Sequence, residues 1–260
     1  MESRVQITIL ARDREKELPL FLQCVDSIDY DPKLLSIYIH TNNNTDHTPL
    51  ILTQWALENK DKFRGITFVL EDEPALESIP VRTCEMDWYA DGGVRLSVLG
   101  EIRNRSLKNA INSGCDYYFI CDSDDFFPPE LIKHLVQQDK PMIGPVMMNQ
   151  SGSIPNSAWF ACAETGYHAS HPTEHPFFKE DIKGVIEAQM LHICYMVKCS
   201  EAANLSYSTN GGQMEFIHFA RLARHHGVKM YATNEVRGLM CPQGTYEESL
   251  ALSRQHGLFQ

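Results

Sequence analysis

Apolar and polar positions along the chain fall in turn into short β-like runs and helical stripes. Val5 to Leu10 is a short β-branched run that ends at Ala11-Arg12. Glu15 to Ile28 then carries Leu18, Phe21, Leu22, Val25 and Ile28 at helical spacing, so the opening reads strand, loop, helix. Leu35 to His40 predicts a second strand, Thr41 to Thr48 an Asn-rich polar loop, and Pro49 opens a helix bearing Leu50, Ile51, Trp55 and Leu57. Ile66 to Leu70 predicts a third strand. The acidic stretch Glu71 to Glu77 and the Gly92-Gly93 pair belong to a long irregular segment of the kind that serves as a lid or binding loop. Leu99 to Asn112 is helical in pattern and stops at Gly114. Tyr117 to Cys121 is apolar throughout and too short for a helix, which predicts a strand buried on both faces.

Beyond Pro128-Pro129 the pattern predicts a helix through Leu131, Ile132, Leu135 and Val136, then a strand at Met142 to Met148. Gly152 to Lys183 reads as loop-rich. Ala188 to Val197 is the last convincing strand, Met214 to His226 the last clear helix, and Lys229 to Thr233 a short edge strand. Strands alternating with helices at this rhythm imply an α/β fold: an open, mostly parallel twisted sheet flanked by helices, with ligands beyond the carboxyl ends of its strands.

At 260 residues the chain fits one such domain. Lys+Arg 23 against Asp+Glu 34 gives a net charge of -11, which repels a polyphosphate and excludes a general nucleic-acid surface. No apolar run approaches the ~20 residues that cross a bilayer. The N-terminal apolar run is too short for a signal peptide, and the eight cysteines are scattered without a CxxC pair; both features imply a reduced, cytoplasmic setting. Sequons at Asn44, Asn104, Asn149 and Asn204 carry little weight without a secretory route.

The candidate chemistry begins at Asp122-Ser123-Asp124-Asp125, which closes the apolar run. Ionised carboxylates packed together repel and desolvate badly. A divalent cation resolves that cost, and alternate aspartates can share one hard cation such as Mn²⁺ or Mg²⁺ while leaving room for a diphosphate. The plain alternative is an acidic turn ahead of Pro128-Pro129.

Several short motifs, in order, carry a resemblance: Ile9-Leu10-Ala11-Arg12 with Leu18-Pro19; Thr41, Asn44, Asp46 and Thr48, then Trp55; Arg103 and Leu107-Lys108; Asp116-Tyr117 and Asp122-Ser123-Asp124; Pro145 to Met147; Trp159 with Gly166-Tyr167; Met190-Leu191-His192; Phe216 to Ala220 with Met230-Tyr231. In these the chain resembles nucleotide-sugar glycosyltransferases of the GT-A type, and more closely the N-terminal catalytic domain of the procollagen galactosyltransferase family. The resemblance implies a GT-A fold with a nucleotide-binding half (1-125) and an acceptor-side half (126-260). It also implies a UDP-sugar donor, Mn²⁺ at the Asp-x-Asp, and inverting transfer of a hexose to a protein or glycan hydroxyl, in collagen a hydroxylysine. Ala11 and Arg12 would border the uracil, with Asn44, Asp46 and Ser123 in the nucleotide site and Arg103 facing the sugar or diphosphate. Asp122 and Asp124 would ligate ribose and metal. Asp46 could equally cap a helix, and Arg103 could be a solvated helix charge.

Inverting transfer needs one carboxylate to take the acceptor proton while cations stabilise the departing UDP. Glu215 is the candidate. Where the family has adjacent acidic residues this chain has Met214-Glu215, so one acidic position is lost and Glu187 stands as a substitute. His192 could add an imidazole to the metal or be a core histidine, with His256 as its competitor. His168, His171 and His175 lack zinc-ligand spacing. Trp159 could wall the acceptor side or sit in the core. Two other functions stay open: a sugar- or nucleotide-binding module that has lost catalysis, and a metal-dependent phosphotransferase or nucleotidylyltransferase using the same aspartates, which the absence of a GxxxxGK[ST] loop disfavours.

Overall fold

The structure is a computed structural model that describes residues 3–77, 91, 93–148, 157–209, 212–240 and 251. The first half runs β1 (Val5–Ala11), α1 (Leu18–Asp26), β2 (Leu35–Thr41), α2 (Thr48–Asn59), β3 (Gly65–Leu70), α3 (Val94–Asn112) and β4 (Tyr117–Cys121). There follow β5 (Asp125–Phe126), α4 (Leu131–Gln138), β6 (Met142–Met148), β7 (Ala158–Trp159) and α5 (Glu174–Phe178). The chain finishes with β8 (Val185–Ala188), β9 (Met190–Leu191), β10 (Cys194–Lys198), α6 (Glu215–His225) and β11 (Met230–Met240). Pro19 and Pro49 stand in the first turns of α1 and α2, where a missing N–H costs nothing. Gly114, at φ 66°, takes the left-handed turn that ends α3.

The main sheet has the order β3-β2-β1-β4-β10-β6-β11-β5, with β8 also on β11; β7 and β9 form a separate ribbon. From β3 to β4 every pairing is parallel, as the alternation of strands and helices implies. Beyond β4 the sheet is mixed: β10 runs antiparallel to both β4 and β6, β6 and β11 are parallel, and β5 and β8 are antiparallel to β11. Helices α1, α2 and α4 cover one face around Phe21, Leu52 and Leu131. The other face is covered by α3, α5 and α6 around Leu107, Phe177 and Phe219.

Helix α3 starts at Val94, ahead of the expected Leu99, and β7 and α5 lie within the stretch expected to be loop-rich; two further elements differ more. The expected short edge strand at Lys229 to Thr233 is instead the first part of the eleven-residue β11, with partners on both sides. Its register shifts between Thr233 and Arg237, and there the Asn234 side chain donates to the carbonyls of Phe177 and Ile182. This bulge inserts polar residues that end the apolar pattern without ending the strand. The expected single strand Ala188 to Val197 is divided among β8, β9 and β10. Ile193 breaks it at φ 72°, a left-handed conformation that a β-branched residue adopts only when held there. The Asp122 N–H donates to its carbonyl at 3.1 Å. The Gly92 half of the glycine pair, Cys84, Cys241, Asn149 and His256 lie outside the described residues.

Phe119, fully buried in β4, meets Phe127 edge-on at 5.4 Å, and Phe127 meets Phe21 at 6.1 Å. Phe119→Ala removes one end of this stack from the core, and we expect a loss of about 3–5 kcal/mol. Urea unfolding should show it as a lower midpoint at unchanged slope.

Candidate active site

The carboxyl ends of β1, β2 and β4 lie along one edge of the sheet, and β1 is where the strand order reverses, with β2 on one side and β4 on the other. Loops at such a point diverge and leave a crevice. The loops after β1 and β2 are laced together across its rim. Arg12 Nε donates to the Asn43 carbonyl (3.1 Å), the Asp13 N–H to Asn44 Oδ1 (3.0 Å), the Arg14 N–H to Thr48 Oγ1 (2.7 Å) and the Glu15 N–H to Asp46 Oδ2 (3.0 Å). Asp46 Oδ1 accepts from the Thr48 N–H (2.9 Å) just ahead of the capping residue His47. Burial raises the Asp46 carboxyl, but the bonds from Thr48 and Glu15 outweigh it and hold the group below its ordinary range. Asp46 thus carries the cap-like bonds left open as its alternative role. Asn44 is equally committed, with its amide nitrogen on Thr41 Oγ1 at 2.8 Å. Ala11 is buried at the end of β1, and Ser123 is buried beside Asp122.

The floor is a shared buried charge. Arg103, on the face of α3 turned to the sheet, sends Nη2 to Asp122 Oδ1 at 2.9 Å and Nη1 to Glu215 Oε1 at 3.4 Å. The Arg103 and Glu215 side chains are 6% and 4% exposed, so Arg103 is no solvated helix charge. Asp124 Oδ2 is held by Arg14 Nη2 at 3.2 Å. Asp122 keeps 40% of its side-chain surface open, yet its surroundings push its carboxyl up to about 6. Burial is the main cause; Arg103 and Arg14 oppose it, while Asp124 and Glu215 add to it. At the start of α3, burial lowers the Arg95 guanidinium and Arg12 adds to that, offset by Asp91 and Glu215. Arg12, Arg14, Arg95 and Arg103 thus supply guanidinium groups to one crevice.

His192 lies in the break between β9 and β10, stacked on Phe216 at 4.7 Å and edge-on to Trp159 at 5.9 Å. Burial, reinforced by Arg103, pushes its imidazole down to about 3, so the ring is neutral at pH 7. Trp159 is itself buried and also meets Phe216 and His168, which makes it the centre of an aromatic wall. Glu187 is out on β8, bonded to Lys229 at 3.0 Å. His168 is taken up by Glu174 at 2.8 Å, and His171 accepts from the Thr173 N–H. The sequence reading missed Arg14 and Arg95, because an arginine in a loop or at a helix start gives no periodic signal.

Among the described residues no three His, Cys, Asp or Glu side chains converge as a cation site, so His192 is not gathered with Asp122 and Asp124 into a three-ligand centre. Its ring instead belongs to the aromatic wall, stacked on Phe216. The two aspartates still fit a divalent cation. They are hard oxygen donors, and the crowding of Asp122 by Asp124 and Glu215 is the repulsion such an ion relieves. Mg²⁺-like ions commonly take one or two carboxylates and complete their shell from substrate oxygens and water.

Residues 2–248 match the family model described as glycosyltransferase family 25, N-terminal domain. Human procollagen galactosyltransferase 2 is 23% identical over 238 residues, covering 88% of this chain and 37% of that protein. Xenopus laevis procollagen galactosyltransferase 1-A is 22% identical over 77% of this chain and 32% of its own length. A mouse relative named an inactive glycosyltransferase 25 family member 3 is 25% identical over 90% and 40%. The chain spans about a third to two fifths of these curated relatives. Among solved structures, S. aureus TarS 1-349 in complex with UDP-GlcNAc superposes with a TM-score of 0.57 at 12% identity, over 94% of this chain and 60% of that one. The mannosyltransferase PcManGT from Pyrobaculum calidifontis, in complex with GDP-Man and Mn²⁺, gives 0.54 at 12% identity, over 93% and 57%. These likenesses establish the nucleotide-sugar transferase fold.

A carboxyl whose folded pKa of about 6 exceeds its ordinary 3.8 holds its proton more tightly when folded, so its favourable contribution is present below about 4 and is lost as pH rises through 6. In chelator-treated protein we therefore expect Asp122→Asn to flatten the fall in melting temperature between pH 4 and 6, measured as the difference from wild type. A parallel pair of curves would refute the assignment.

Proposed function

Because the chain belongs to glycosyltransferase family 25, we propose that it transfers a hexose from a UDP-sugar to an acceptor hydroxyl in a divalent-cation-dependent, inverting reaction. The observation that carries the reading is the Arg103 cluster, which puts one carboxylate at the donor crevice and another at the start of α6 within reach of a single guanidinium. Asp122 and Asp124 would hold the cation, which when bound supplies positive charge against the donor diphosphate. Arg12, Arg14 and Arg95 would face the same diphosphate, since guanidinium groups match phosphate oxygens in geometry as well as charge.

In this reading Glu215 accepts the proton of the acceptor hydroxyl. Its place in the first turn of α6 and its pairing with Arg103 hold the side chain at the crevice for that role. The aromatic wall of Trp159, His192 and Phe216 stands beside that carboxylate and offers apolar surface to an acceptor stem. A hydroxyl on a collagen-like protein is the acceptor class suggested by the names of the procollagen galactosyltransferase relatives.

A second reading, a nucleotide-sugar-binding module without transfer activity, is favoured by Met214, which caps α6 where the resembling family has an acidic residue, and by the relatives named inactive. Slow hydrolysis of UDP-galactose in the presence of Mn²⁺ would exclude it; tight UDP binding without any turnover would support it.

Asp124→Ala should abolish Mn²⁺-dependent UDP-sugar turnover while leaving the circular-dichroism spectrum intact; unchanged turnover overturns the proposal. UDP with Mn²⁺ at 100 times its dissociation constant should stabilise the protein by about 2.7 kcal/mol. In a thermal-shift panel UDP should act selectively over GDP.

A further inference from the structure

The segment that delivers Glu215 has almost no regular structure of its own. Between β10 and α6, among the described residues, a helical turn at Cys199–Glu201 and a turn closed by the Leu205 N–H on the Ala202 carbonyl are followed by irregular chain that bonds to α3 from Ser206 to Thr209. A single stripe of α3 receives it, at the i, i+3, i+4 spacing of one helix face. Asn104 Oδ1 accepts the Tyr207 N–H at 2.8 Å, and its amide nitrogen donates to Ser208 Oγ at 2.7 Å and Ser206 Oγ at 3.2 Å. Two turns earlier, Ser97 Oγ donates to the Thr209 carbonyl at 3.1 Å. Between them lies Gly100. A Cβ there would clash with the Tyr207 carbonyl oxygen and stand at ordinary contact, 3.5 Å, from Glu215 Cβ, so the strap comes closer to this helix than a side chain permits and the start of α6 packs directly beside it.

Tyr207 is the keystone of the strap. Its ring lies flat on Phe219 of α6 at 4.0 Å and under the Arg103 guanidinium at 5.8 Å, and its hydroxyl meets that of Tyr195 from β10 at 2.5 Å. Moving its backbone moves the ring beneath Arg103 and the helix whose first residue is Glu215. Glycine inside a helix costs about 1 kcal/mol relative to alanine, and a polar amide facing a buried strap is a poor choice for packing alone. Local rules broken together, with every hydrogen bond satisfied, mark a place where geometry was held at the expense of stability.

We infer that Gly100 and Asn104 are positioning residues for the transfer step: they fix the height of the 206–208 strap over α3 and thereby the Arg103–Glu215 separation. The inference rests on the reading of Glu215 as the base. In the same reading the donor is held by the β1, β2 and β4 loops and by Arg95 at the start of α3, not by Gly100 or Asn104.

The test compares Gly100→Ala, Asn104→Ala and Glu215→Gln with the wild type, reading kcat and KM for UDP-galactose with Mn²⁺ alongside the UDP-induced thermal shift. Gly100→Ala should lower kcat by about 10²-fold, the effect of displacing a catalytic group by about 1 Å, with KM and the thermal shift unchanged. Asn104→Ala removes bonds without adding volume, should lower kcat in the same direction, and keeps the question answerable if the bulkier variant does not fold. Unaltered kcat in the folded variants overturns the inference, as does equal loss of donor binding and kcat. Full turnover by Glu215→Gln overturns the reading beneath it; an inactive Glu215→Gln beside a fully active Gly100→Ala removes the positioning role alone.

Discussion

One buried cation organises the site. Arg103 is drawn from water into the interface of α3 with the sheet, which is tolerable only because the buried Glu215 and the half-exposed Asp122 meet it there. The three groups come from a helix, the end of a central strand and the start of another helix, far apart in the chain. Each makes the burial of the others acceptable, so loss of one leaves the rest uncompensated. Among the described residues the Arg103 Nε has no hydrogen-bond partner, a local cost that the two ion pairs and the Tyr207 face beneath the guanidinium outweigh.

That arrangement joins two differently built sides. Toward β1 and β2 the crevice is made of polar loops stapled to each other by aspartate, asparagine and threonine side chains, a rigid rim with guanidinium groups behind it. Toward β10 and α6 it is aromatic, with His192 neutral between Phe216 and Trp159. A charged, doubly acidic leaving group suits the first side and an uncharged hydroxyl on an apolar stem suits the second. The left-handed Ile193 lies at the seam, where the chain turns from the ribbon of β9 into the sheet and its carbonyl takes the Asp122 N–H.

Much of this was legible in the sequence because it is local. The β-branched run of β1, the fully apolar β4 and the Asp-x-Asp that closes it follow from periodicity and from the cost of crowding carboxylates. The parallel half of the sheet follows from strand–helix alternation. What could not be read depends on partners remote in sequence. β11 continues past Thr233 because Phe177 and Ile182 accept bonds from Asn234 across a bulge, whereas the pattern sees only a polar interruption. Asp46 showed two roles of equal chemistry until the Glu15 and Thr48 amides were seen on its two oxygens. Gly100 looks like a blemish in a helix, and only the carbonyl of Tyr207 above it explains its presence.

The antiparallel insertion of β10 between β4 and β6 also governs the order in which the molecule can be completed. As synthesis proceeds, Tyr117 to Cys121 emerges with β1 for one neighbour, but its other flank waits more than seventy residues for Cys194 to Lys198. Until those arrive, a strand whose five residues are all buried in the finished fold is an open edge inviting any passing chain. A nascent polypeptide halted anywhere in that interval should be the species that chaperones must shield.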